Sequence, residues 1–203
     1  MSAQENLEHA EHAEHASHGG NKKIALLISV LALFLAFSET LGKSTQTNAI
    51  ADNIKASDTW NFFQAKTIRQ TGLRIAADAL SSQLPAITND ESKAAMAKQI
   101  ETWRATATRY ESDPQERDGR KELRALAEEY EHARDLGLAR YHQYEFASAV
   151  FQIGIVLASA EVITGMTVLG WLSGLLGVCG LGFMGLGLLA PHALDFLFHA
   201  SGH

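Results

Sequence analysis

Four histidines, His9, His12, His15 and His18, recur at three-residue intervals in the stretch "EHAEHAEHASHGG". Imidazoles one helical turn apart chelate Zn²⁺, Ni²⁺ or Cu²⁺, and adjacent glutamates raise their basicity. A spacing of three drifts around a helix, so only two neighbours share a face and no fixed tetrahedral set follows. The tract is therefore expected to be a solvated tail with weak metal affinity. No other cofactor is expected. Two carboxylates also invite attention. Glu39 and Glu161 lie within or beside long apolar runs, and a charge at the centre of a bilayer costs at least about 2.5 kcal/mol. Each sits near the end of its run, where interfacial neighbours can satisfy it. Anchoring at the membrane interface is the expectation for both, with ion conduction as the alternative. The chain has no GxGxxG, no P-loop and no cysteine pair, and its Ser, His and Asp residues fall in no triad spacing. It reads as a non-enzyme.

The elements that carry these residues follow from an uneven distribution of charge. Two apolar blocks, Ile24 to Leu41 and Phe146 to Ala190, contain no Lys or Arg, and 15 of the 17 basic residues lie between them. The same middle segment holds 16 Asp and Glu, so no basic face for nucleic acid emerges. Ile24 to Leu41 is near the lower limit for crossing a hydrocarbon core of roughly 30 Å. A cleavable signal peptide is the competing reading, but the acidic tail of residues 1–23 ahead of it favours an uncleaved anchor. The second block is twice one span long and breaks best at "ITGMT", around Gly165. The expectation is an all-α membrane protein with transmembrane helices over 24–41, 146–165 and 168–190, and a His-containing tail over 191–203.

Residues 42–145 read as an extramembrane, coiled-coil-like helical hairpin between the first and second spans. In its first arm Ala65, Ile68, Gly72, Ile75 and Ala79 follow three–four spacing, flanked by Leu73, Ala76 and Leu80. That predicts a small-residue stripe able to approach another helix closely. Pro85 and Asn89 mark a turn, and a helix is expected from about Asp90 to Tyr110. "SDPQE" predicts a further helix start, with Asp113 as N-cap and Pro114 at the first helical position. The next stripe, Leu123, Leu126, Tyr130, Ala133, Gly137, Tyr141 and Tyr144, runs without a break into the second span.

In "SDTWNFFQAKTIRQ", Trp60 and Phe63 fall near one line, while Phe62 turns toward the Ala65 stripe. Two aromatic faces imply either two partners, the returning helix and a neighbouring subunit, or one intrachain core cluster. On the first reading Trp60 and Phe63 serve the oligomer and Phe62 the hairpin. Lys66 and Arg69 have no neighbour in sequence that would make a catalytic dyad. The glycines of the third span, among them Gly170, Gly174 and Gly177, each weaken a helix by roughly 1 kcal/mol relative to alanine. Close helix–helix packing in lipid is the return expected for that cost.

"TNAIADNIKASDTWNFFQAKTIR" resembles the signature of a bacterial membrane family catalogued as domain of unknown function four-three-three-seven, and "FASAVFQIGIVLASAEVITG" is similar to that family's second span. The resemblance covers nearly the whole chain and implies one span, the aromatic segment and a C-terminal hairpin. It implies no activity, substrate or catalytic residue. The family's turn after the second span is usually basic, whereas "TGMT" carries no Lys or Arg. Lys22 and Lys23 abut the first span, which by the positive-inside rule predicts a cytoplasmic N-terminus and a periplasmic helical segment. The reading is a self-associating scaffold or partner-binding stalk of the bacterial inner membrane, with the lipid bilayer and a second copy as its partners. A channel or transporter component using Glu39 and Glu161 is the alternative.

Overall fold

The computed structural model describes residues 22–194, which form four α-helices and two short 3-10 turns and, among the described residues, no strand. The helices are α1 (Lys22–Gln83), α2 (Asp90–Glu111), α3 (Arg120–Thr164) and α4 (Thr167–Leu189). Three of them, α1, α3 and α4, contain stretches long and apolar enough to cross a membrane. The histidines at 9, 12, 15 and 18 lie outside the described residues.

Sequence punctuation accounts for most of the boundaries. α1 ends where Pro85, which has no backbone N–H to donate, enters a 3-10 turn at Leu84–Ala86. Asn89 caps α2, its side chain accepting from the Ser92 amide at 2.9 Å. α3 stops at Thr164 because Gly165 takes φ 71°, the left-handed region open to glycine, and α4 begins two residues later. One expected start is corrected. Asp113 does not cap a helix that runs on from Pro114. It closes a single turn instead, its carboxylate accepting from the Glu116 amide at 3.2 Å and its carbonyl from the Arg117 amide at 2.7 Å. Arg117 then swings to φ 57° and breaks the run. The tight return needs Gly119, whose missing side chain would meet the Asp113 amide nitrogen at 2.5 Å, and α3 starts only at Arg120.

The chain divides into two compact units. In the first, formed by residues 22–49 and 135–194 of the described chain, Ile28, Leu31 and Leu35 of α1 pack on Ala147, Phe151, Ile155 and Ala158 of α3. Phe34 stacks on Phe151 with ring centroids 6.0 Å apart. α4 closes on this pair through glycine. A Cβ on Gly177 would stand 2.7 Å from Leu31, and one on Gly180 would stand 2.6 Å from Phe151. The helices also share backbone-directed hydroxyls, Ser38 donating to the Tyr144 carbonyl at 2.8 Å and Ser173 to the Gly154 carbonyl at 2.7 Å. Leu26, Leu33, Phe37, Ile153, Val156 and Leu175 face outward. In water such a surface would be a large liability; against hydrocarbon it is solvated.

In the second unit, Ile50–Arg134, α1 runs antiparallel to α2 and to the first turns of α3. Asp78 meets Arg104, Gln70 meets Ala107 and Arg120, and Asn53 meets Arg134. The shielded positions of α1 advance by three and four without a skip from Ile28 through Leu31, Leu35 and Ser38 to Ala77 and Leu80. That is a seven-residue repeat of burial. α3 repeats it from Leu123, Leu126, Tyr130, Ala133 and Gly137 to Ala158 and Glu161, with Arg140 in the place expected for Tyr141.

The phase on α1 differs from the sequence expectation. The stripe Ala65, Ile68, Gly72, Ile75 and Ala79 faces outward, and its flankers Leu73, Ala76 and Leu80 are the shielded residues. The cause is that the inner face carries Thr59, which donates to the Lys55 carbonyl one turn back, and Lys66 and Gln70, whose partners come from distant segments. Hydropathy alone assigns such residues to solvent.

Candidate functional site

The aromatic segment and the chain entering α3 build a polar clasp in the second unit. Gln70, 1% exposed, stands at its centre. Its amide nitrogen donates to the Ala107 carbonyl at 2.9 Å and to Glu111 Oε2 at 2.8 Å, and its oxygen accepts from Arg120 Nη1 at 2.6 Å. Arg120 also donates to Thr67 Oγ1 and Glu111 Oε2, both at 2.9 Å, and lies over the Phe63 ring. Lys66 donates to Asp118 Oδ2 at 2.5 Å with its ammonium over the Tyr110 ring. Glu122 holds the connecting turn, accepting from Ser112 Oγ at 2.5 Å and from the Asp113 amide at 3.2 Å.

The electrostatics fit a fastener. The hydrogen bond from Gln70 holds the Glu111 carboxyl below its ordinary value; burial opposes it, and the Arg120 and Arg74 charges each add a smaller effect in the same direction as the hydrogen bond. The Ser112 hydroxyl does the same for Glu122. Lys66 and Arg120 are each engaged by a carboxylate. Such a network fixes the positions of helices.

The aromatics are placed the opposite way round from the two-partner reading. Trp60 Nε1 donates to Glu131 Oε1 at 2.9 Å, and Trp60 meets Phe63 edge-on at 5.4 Å, both turned toward the returning chain. Phe62 is 65% exposed. The reason is again phase, since Phe63 shares the heptad line of Thr59, Lys66 and Gln70. The indole N–H, which needs an acceptor when shielded, finds one on α3.

At the two ends of the apolar stretches in the first unit lie two cavities. Glu39 borders one of about 310 Å³ with Ser38, Lys43, Tyr141 and Glu145, and accepts from Gln152 Nε2 at 3.4 Å. Glu161 borders the other, about 700 Å³, with Lys23, Ile24, Gly170, Trp171, Gly174 and Val178. Glu161 is 4% exposed, and its Oε2 has no hydrogen-bond partner. The two carboxylates are not brought together: Ile28, Leu31, Leu35, Phe151 and Ile155 fill the seam between.

Of the three glycines singled out in the third span, Gly177 makes the close approach to Leu31, Gly170 sits against the Glu161 carboxylate, and Gly174 opens on the cavity. Sequence reasoning missed Gln70, Glu111, Asp118 and Arg120. The available signal was Lys66 and Gln70 at heptad distance from Phe63, an inner-face spacing for residues otherwise read as solvated. Among the described residues no group of three or more His, Cys, Asp or Glu is placed to hold a metal ion. A family model described as "Domain of unknown function (DUF4337)" matches residues 20–190. No curated protein and no solved structure matches the chain.

Proposed function

The chain belongs to the DUF4337 family, and on that premise we propose that it is a non-enzymatic, self-associating protein of the bacterial inner membrane. Its residues 42–145 act as an extramembrane helical stalk. The observation that carries this reading is the outward stripe of α1. Ile68 is 72% and Ile75 64% exposed, and Phe62 lies beside them, on a helix whose inner face is already occupied. Ala65, Gly72 and Ala79 alternate with Ile68 and Ile75 at heptad spacing, which is the pattern a second helix reads.

Copies in one membrane share an orientation, so α1 meets its counterpart in parallel, like layer against like. The small layers let the backbones approach, and the isoleucine layers supply apolar burial of about 1.5–3 kcal/mol per side chain. Occupation of the seam between Glu39 and Glu161 by apolar side chains favours this over conduction through a single chain. The double substitution Ile68→Asp, Ile75→Asp should shift the detergent-solubilised protein to a smaller assembly in native mass spectrometry, with helicity retained. An unchanged stoichiometry would remove the stripe from the interface.

With Lys22 and Lys23 as the inside signal, the N-terminus is cytoplasmic and the stalk periplasmic. A single cysteine at Ser92, with Cys179→Ser, should react with impermeant maleimide in intact spheroplasts. Labelling confined to inverted vesicles reverses the orientation.

A further inference from the structure

Glu161 is a buried carboxylate in the last turn of α3, and no hydrogen-bond partner for it is found among the described residues. Its Oε2 is shielded and without a hydrogen-bond partner. The oxygen packs against Gly170, where any side chain would collide with it, so the glycine leaves room for the carboxylate at the cavity wall. Lys23 borders the same cavity, yet makes no ion pair with Glu161. A shielded acceptor carrying charge is costly unless a donor, preferably a cation, reaches it. The group that would complete it is a donor of positive charge, and none comes from the described residues.

The rest of the cavity describes what carries that group. Lys23, Glu161 and Thr167 lie at the start of α1, the end of α3 and the start of α4, which is one end of all three apolar stretches. Trp171, Leu175 and Val178 continue along one face of α4 and are largely exposed, Trp171 at the level where indoles seat at a membrane interface. A polar mouth holding one acid and one base, opening onto an apolar stripe at 171, 175 and 178, matches an amphiphile with an ammonium, a phosphate and acyl chains.

We propose that this cavity binds an ethanolamine phospholipid, its ammonium donating to Glu161, its phosphate meeting Lys23, and its chains lying along Trp171, Leu175 and Val178. Headgroup chemistry sets the preference. A primary ammonium has three N–H donors for the carboxylate that lines the cavity, whereas a choline trimethylammonium has none. A glycerol headgroup offers hydroxyl donors but leaves the carboxylate uncompensated. The site rests on the membrane reading and does not depend on self-association.

The test is native mass spectrometry of the full-length protein released from nanodiscs holding equal ethanolamine, choline and glycerol phospholipids of matched chains. The wild type should retain ethanolamine lipid over choline lipid by at least about tenfold, the worth of one charge-assisted hydrogen bond. Glu161→Gln, nearly isosteric, should erase that discrimination. Lys23→Ala should weaken retention of both lipids alike, which also covers the case in which Glu161→Gln fails to fold. Soluble phosphoethanolamine, lacking acyl chains, should not displace the lipid; displacement would assign the site to a free phosphoamine. Equal retention of ethanolamine and choline lipids by the wild type would overturn the proposal, leaving a proton or an inorganic cation on Glu161. The same spectra read subunit stoichiometry, so failure of the lipid site and failure of self-association are told apart.

Discussion

Replacing Gln70 by leucine keeps the volume at a fully shielded position and removes three hydrogen bonds, those with Ala107, Glu111 and Arg120. The bond to the Ala107 carbonyl is neutral and worth about 1 kcal/mol net. The other two involve ionised partners, for which about 1.5–3 kcal/mol each would apply in a dry site. Glu111 is half exposed and Arg120 about a quarter, so water recovers part of that value, and about 1 kcal/mol each is the better figure. The sum, about 3 kcal/mol, is roughly a hundredfold in a local opening equilibrium.

Hydrogen exchange read by mass spectrometry on the full-length protein locates the loss. Amides of residues 104–111 and 120–124 should exchange about a hundredfold faster in Gln70→Leu than in the wild type. Arg120→Met removes the same clasp from the other side, and the double variant should be less than additive by about 1 kcal/mol. Protection in both segments within about threefold of the wild type would refute the clasp as the fastener of α2.

The remaining predictions concern the aromatics and pH. Phe63→Ala should lower the thermal midpoint at a cost of about 2–4 kcal/mol, while Phe62→Ala stays within about 0.5 kcal/mol, as fits a shielded and an outward ring. Circular dichroism melts of the two variants side by side decide this, and equal losses would restore Phe62 to the core. For pH, Glu111 and Glu122 both have folded-state values lowered from the ordinary 4.5. Their contribution is therefore complete above that value and is lost as pH falls through the depressed folded values. Exchange protection around residues 111–122 should hold between pH 5 and 8, on the order of neutrality, and fade only in acid. Loss of protection in the neutral range would point to a histidine instead.

What the sequence made legible was whatever local chemistry decides. Pro85 and Gly165 act through their own backbones and Asn89 through a side chain that reaches only three residues ahead, and the helix ends fall where they dictate. The α3 stripe from Leu123 to Gly137 was readable because its inner residues are apolar or small. The phase of α1 was not, because Lys66 and Gln70 are inner residues only when Asp118, Glu111 and Arg120 arrive, 41 to 52 positions later in the chain. "SDPQE" carries a helix-start signal that is obeyed for one turn and then overridden by the left-handed Arg117. Glu161 could be suspected from its residue type alone. That one of its oxygens is shielded and without a partner could not, since that depends on Gly170 lying against it in space.

The hydroxyl of Ser38 has a consequence for how the chain is made. Its acceptor, the Tyr144 carbonyl, lies 106 residues downstream. At about 5–20 residues per second of synthesis, that acceptor is roughly 5–20 s from existing when Ser38 leaves the ribosome. On the membrane reading proposed above, the hydroxyl waits in hydrocarbon over that interval and can turn to the carbonyl four residues back, the bond that Ser29 and Thr40 make with Ala25 and Ala36. The first span is thus able to insert alone with its polar group satisfied, and arrival of α3 exchanges a bond within one helix for a bond between two. Insertion and assembly become separate stages, and Ser38 takes part in both.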